Sequence, residues 1–244
     1  MTSTDIGDIS RIGRREAPGL AREEYRRLAT LAARLAPGDW ARPTDCPGWT
    51  VRDELAHVAG SMAGTALREG SRQRKAAGQR AQSSGRPFLE EMNQLQIEER
   101  SGLPDAAVAR ELRDRIEDAV KARRRVPALI RRAPIPGSSD RLTLGDLVDV
   151  ILTRNVWIHR VDVCRATDRQ LQLTPEHDGR LVADVVRDWA DRHGQPFTLH
   201  LAGVAGGRFS HAGGPRLELD AVEFCRVLSG RSVGEGLLAT AVVF

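Results

Sequence analysis

With 244 residues, 41% of them hydrophobic, the chain is long enough to bury a core in one large domain or two small ones. No stretch approaches the roughly 20 apolar residues of a membrane span, and the polar, basic start from Met1 to Arg15 lacks the apolar run of a secretory signal. The net charge of +4 gathers in two runs, Arg68, Arg72, Arg74, Lys75, Arg80, Arg86 and Lys121, Arg123, Arg124, Arg125, Arg131, Arg132. One tyrosine and five phenylalanines, none interleaved with those runs, make no stacking platform for nucleic acid, so solvated helix faces are expected instead. Three cysteines (Cys46, Cys164, Cys225) without C-x-x-C spacing point to a reducing, cytoplasmic setting rather than to disulfides or a thiolate zinc site.

Glu16 to Leu35 carries apolar positions at helical spacing and stops at Pro37-Gly38. A loop with Pro43, Pro47 and Gly48 leads into a helix through His57, with Trp49 as a hydrophobic anchor at its start. The polar segment from Gly70 to Arg86 reads either as helix or as mobile chain. Leu89 to Arg100 is a short amphipathic helix, and Pro104-Asp105 opens another that Pro127 should kink or end. Pro134 to Asp140 is a turn-rich connection, and Leu144 to Thr167 is a long helix.

After about residue 174 the pattern changes. Thr174-Pro175 starts a helix that runs to about His193 and stops at Gly194. Pro196 to Leu201, Gly207 to His211 and Arg216 to Leu219 alternate as short strands between Gly/Pro turns. Asp220 to Leu228 is a closing helix ended by Gly230, and Leu237 to Phe244 reads as a last strand. The expected class is α+β: a helical bundle over 1–172 followed by a small α/β domain over 173–244.

His57, Asn155 and His159 are the candidate site. Leu144, Val148, Leu152, Asn155, His159, Asp162 and Ala166 step by fours and threes along one stripe that is aliphatic first and polar afterwards. A histidine on one helix facing an i/i+4 polar pair on another can build a three-ligand metal site inside a bundle. The competing reading is a satisfied core network, since buried polar groups need partners of some kind. Asp53, Gly60, Ser61 and Gly64 fall on the His57 side of its helix, where small residues leave room for a metal, water or substrate, or simply let two helices pack closely. His177, His193, His200 and His211 have no ligand-like spacing. No G-x-S-x-G elbow occurs, and Gly203-Val-Ala-Gly-Gly207 lacks the dinucleotide pattern.

Three segments resemble one family. Asp45-Cys-Pro-Gly-Trp-Thr-Val-Arg-Asp-Glu-Leu-Ala-His57 looks like the start of the first metal helix of mycothiol-dependent maleylpyruvate isomerase-like proteins, within the DinB-like bundle superfamily. Trp157-Ile-His159-Arg-Val-Asp162 looks like their second metal helix, and Cys225 to Thr240 is similar to their small C-terminal domain. The resemblance implies a DinB-like four-helix bundle holding a divalent metal, zinc, on two histidines and a carboxylate. It also implies a low-molecular-weight thiol cofactor, mycothiol or a similar one, which attacks a small electrophilic substrate as a transferase or isomerase.

His57 and His159 match the two histidines, but Asn155 stands where the pattern has a carboxylate, and a neutral amide is the poorer zinc ligand. Asp162 is placed one turn beyond His159 to hydrogen-bond that ligand rather than to replace it. Arg231, after Ser229-Gly230, is the candidate catalytic residue for an anionic substrate or cofactor, against a plain surface arginine. Two rivals remain: a non-catalytic bundle with a degraded metal site, kept to bind a ligand or partner, and a basic nucleic-acid binder.

Overall fold

In the computed structural model, residues 3–135 and 142–244 are described; most of the expected turn-rich connection, Pro136 to Asp140, lies outside the described residues. The elements in chain order are β1 (Thr4–Asp5), α1 (Ala17–Ala32), α2 (Val51–Gly64), α3 (Leu67–Ser84), α4 (Phe88–Glu98), α5 (Asp105–Asp114), α6 (Ile116–Arg125), α7 (Ala128–Arg131), α8 (Leu144–Asp146), α9 (Leu152–Ala166), α10 (Arg180–His193), β2 (Phe197–Ala202), β3 (Gly207–His211), β4 (Arg216–Asp220) and α11 (Ala221–Leu228). Two compact units result. One is Arg14–Arg169; the other is Gln170–Phe244 together with the N-terminal segment up to Gly13.

The first unit is a helical bundle. Tyr25 and Leu28 of α1, Leu55 and Val58 of α2, Leu112 of α5, Val120 of α6, and Val156 and Val163 of α9 share one core. The polar segment from Gly70 resolves as helix, since α3 spans it and packs on α4 as a hairpin closed by Gly85 at φ +73. The helix expected after Pro104 is broken at Arg115 into α5 and α6. It ends at Arg125 because Val126, preceding Pro127, is driven out of helical conformation (φ −57, ψ 121). The Leu144–Thr167 helix contains a π-helical turn at Leu147–Ile151. That turn is held by buried Arg123, which donates to the Val148 carbonyl at 2.6 Å, to Thr153 Oγ1 at 2.7 Å and to the Tyr25 hydroxyl at 3.1 Å.

The second unit is a four-stranded mixed sheet ordered β1-β3-β2-β4. β2 and β3 form an antiparallel hairpin, while β4 runs parallel to β2 and β1 parallel to β3. Trp189 of α10 stacks edge-on against Phe197 and Phe224 beneath that sheet. The expected boundary at 172/173 puts the first residues with the bundle. They join the sheet here, because two residues of β1 pair with Phe209 and Ser210, a contact across some two hundred positions that no local pattern announces. Leu237 to Phe244 is not a strand. Its backbone is occupied otherwise: a 3₁₀ turn covers Gly236–Ala239, Trp189 Nε1 donates to the Leu237 carbonyl, and Val242 N donates to the Leu228 carbonyl at the end of α11.

Candidate metal centre

The site is assembled inside the helical unit by α2, α9 and the loop before α2. Pro47 and Gly48 form the centre of a β-turn closed by Trp49 N donating to the Cys46 carbonyl at 3.0 Å, with Gly48 at φ +79 as a type II turn demands. Thr50 caps α2 in a capping box with Asp53. Asp53, on the His57 side by spacing, therefore serves the helix end and not the site. Ion pairs from Arg165 to Asp45 and from Arg42 to Asp168 tie this loop to the end of α9. The Trp49 ring is thereby laid across both imidazoles, with centroids 5.2 Å from His57 and 5.9 Å from His159.

His57, Asn155 and His159 converge as their spacing predicts. The two imidazole centroids lie 5.3 Å apart. Asn155 sits between them, its Oδ1 3.3 Å from His57 Nε2 and its Nδ2 3.2 Å from His159 Nε2. Both histidines are buried, while Asn155 and Trp49 are half-buried, so the cluster reaches solvent on their side. Neighbouring donors of a tetrahedral ion with bonds of about 2.0–2.1 Å are roughly 3.3 Å apart. The spacing and the donor types, two imidazole nitrogens and an amide oxygen, fit a divalent metal such as zinc. Burial, then the charge of His159, push the His57 pKa down to about 3, which keeps its imidazole neutral and able to donate a lone pair.

Behind His159 lies a residue that periodicity did not single out. Glu54, fully buried on α2, turns its carboxylate to His159 Nδ1 at 3.5 Å, and Asp162 Oδ2 stands 3.6 Å from the same nitrogen. Neither Glu54 oxygen makes a hydrogen bond. Burial raises the Glu54 pKa to about 7, against the pull of His159. Burial would lower His159, but the Glu54 and Asp162 carboxylates outweigh it and its pKa is raised. Glu54 was detectable: it stands three residues before His57, on nearly the same helix face, as an acid within an otherwise apolar and small-residue helix. Asp162 faces Nδ1, not the Asn155 side, as expected of a residue that orients the ligand.

The room inferred beside His57 is taken up by protein. A Cβ on Gly60 would lie 2.5 Å from Gln96 Cβ and 2.8 Å from Arg100 Nη1, and one on Gly64 would lie 2.5 Å from Gln73 Oε1. These glycines admit α3 and α4, so close packing is their role. Arg231 belongs to the α/β unit, follows α11, is half-buried, and donates its backbone N–H to the Arg226 carbonyl at 2.9 Å. It is not among the side chains that the bundle brings together.

Several arginines of the first basic run are engaged by acids: Arg72 by Glu69 and Glu99, Arg80 by Glu98, and Arg86 by Glu90 and Glu91. No helix among the described residues is long and apolar enough to cross a membrane.

Residues 21–164 match the family model described as the mycothiol maleylpyruvate isomerase N-terminal domain. Two solved structures share the fold over 95% of this chain and 93% of theirs. One is a mycothiol-dependent maleylpyruvate isomerase (TM-score 0.57, 18% identity) and the other a histidine-to-alanine mutant of a mycothiol-dependent maleylpyruvate isomerase (TM-score 0.56, 16% identity). None of the curated proteins matches the sequence. The model spans more than half of the chain and contains all three converging residues, and on that basis the chain belongs to the mycothiol maleylpyruvate isomerase family.

Proposed function

We propose that the protein is a metal-dependent enzyme that uses a low-molecular-weight thiol, mycothiol or a relative of it, to isomerise or transfer onto a small electrophilic substrate. The observation that carries this reading is the convergence of His57, Asn155 and His159 with donor spacings of 3.2–3.3 Å, backed by a buried carboxylate pair on the far nitrogen of His159. His57, His159 and the Asn155 oxygen would hold a divalent ion, zinc by donor chemistry. Bound there, such an ion lowers the pKa of a coordinated thiol and favours its nucleophilic thiolate.

This chain's own residues do the rest. Asn155 contributes no charge, and Glu54 and Asp162 supply negative charge one step further out, through His159 Nδ1. A proton held on Nδ1 by those carboxylates leaves the Nε2 lone pair directed at the site. Trp49 covers the two imidazoles and excludes water from that face. Arg231 remains the proposed contact for an anionic substrate or thiol.

A second reading has its own observation. The Asn155 amide, oxygen toward His57 and nitrogen toward His159, can close a hydrogen-bonded chain without any ion, as a ligand- or partner-binding bundle with a degraded site would need. The test is thiol-dependent conversion of maleylpyruvate and related unsaturated acids by zinc-loaded and chelator-treated protein. Conversion that requires zinc and is lost in His57→Ala and His159→Ala supports the enzyme. Failure to bind zinc, in the parent and in Asn155→Glu alike, supports the second reading.

A further inference from the structure

Behind His57, as behind His159, buried polar atoms are left over. His57 Nδ1 and Gln96 Oε1 are both buried and neither makes a hydrogen bond. Gln96, on α4, is 5% exposed, and its side chain lies within hydrogen-bonding reach of the His57 ring. Its approach depends on Gly60, since any Cβ there would collide with Gln96 Cβ at 2.5 Å.

The Gln96 amide has a fixed polarity. Its Nε2 donates to Gln73 Oε1 at 3.5 Å, Gln73 Nε2 donates to the Gly60 carbonyl at 3.3 Å, and Arg100 Nη1 donates to the Gln96 backbone carbonyl at 3.0 Å. With its nitrogen committed to Gln73, only an accepting oxygen remains to face the imidazole.

We propose that Gln96 is a positioning residue that holds the proton of His57 on Nδ1, so that Nε2 presents its lone pair to the centre. This rests on the metal reading above. It gives the two histidines matching arrangements: His159 keeps its Nδ1 proton on Glu54 and Asp162, His57 keeps its own on Gln96, and both Nε2 atoms face Asn155 as acceptors. The Asn155 oxygen, 3.3 Å from His57 Nε2, then opposes lone pair to lone pair. A cation between them relieves that opposition, whereas a neutral hydrogen-bonded chain would need the proton on Nε2.

The experiment is nitrogen-15 NMR of histidine-labelled full-length protein, metal-free and with added zinc, for the parent, Gln96→Met and Gln96→Glu. The expected result is His57 as the Nδ1–H tautomer in the parent in both states. Gln96→Met removes the acceptor at similar volume; His57 should move to Nε2–H in the metal-free protein, and the zinc dissociation constant should rise roughly 10–100-fold. Gln96→Glu, which keeps an accepting oxygen, should retain Nδ1–H and an affinity within a few-fold of the parent.

A parent whose metal-free His57 is Nε2–H overturns the proposal, whether or not either variant folds. So does a Gln96→Met protein with the parent's tautomer and affinity. If the parent takes up no zinc, the metal reading fails by itself, and the metal-free tautomers still decide the part played by Gln96.

Discussion

Glu24 and Glu54 are both completely buried in the helical unit, and consecutive residues of α9 serve them, yet they are opposites. Glu24 receives a two-pronged contact from Arg160, at 2.6 and 3.2 Å. Glu54 faces only an imidazole nitrogen at 3.5 Å and makes no hydrogen bond. A guanidinium and a carboxylate complete one another geometrically, and the charge is neutralised on the spot. An imidazole has a second nitrogen, and a carboxylate that grips Nδ1 governs what Nε2 can do. The first arrangement is closed and ties α1 to α9. The second remains open toward Asn155 and His57, as a ligand-holding cluster must be.

Breaking each glutamate's contact separates the two roles. Arg160→Met should cost the most stability, about 3–5 kcal/mol in urea unfolding, because it strands a buried carboxylate. Glu54→Gln should leave stability near the parent's at pH 5, where a group with a folded pKa of about 7 is already protonated. It should weaken zinc binding roughly 10–100-fold, measured against a competing chelator. The sign of its pH dependence follows from the raised pKa. The folded state holds a proton that the unfolded state has released, so this group makes the metal-free parent lose stability as pH rises from 4.5 toward about 7. Glu54→Gln lacks that loss and should gain on the parent across the same window. His57 acts oppositely in both proteins, since its folded pKa is depressed to about 3: its contribution is present above the ordinary imidazole value and is lost as pH falls toward 3.

Two glycines sharpen the comparison at smaller scale. Gly60→Ala should cost about 1–3 kcal/mol, because its methyl meets Gln96 and Arg100. Gly78→Ala on α3 meets nothing within 4 Å and should stabilise by up to about 1 kcal/mol. Equal effects at the two positions would contradict the packing described around His57.

Much of this centre was legible before any coordinates. Asn155 and His159 share a face because α9 is regular from Leu152 onward, and His57 stands on a helix whose Thr50 and Asp53 announce its start. The π-helical turn escaped notice because it adds a residue without disturbing the hydrophobic count: Leu144 and Val148 continue the stripe on paper, although the turn at Leu147–Ile151 shifts their register. Glu54 and Gln96 were missed for a related reason. Each is a polar residue on a mixed face, and only the packing of α9 and α4 on α2 decides that it is buried. The role of Gly60 follows from the same packing. The N-terminal strand depends on a pairing remote in sequence, beyond the reach of local pattern.

The most direct test of the open cluster as a metal centre is elemental analysis of purified protein, parent beside His57→Ala and His159→Ala. The account predicts close to one zinc or other divalent ion per chain in the parent and its loss from both variants. A parent without metal that also refuses added zinc, or variants that retain a full equivalent, would contradict it.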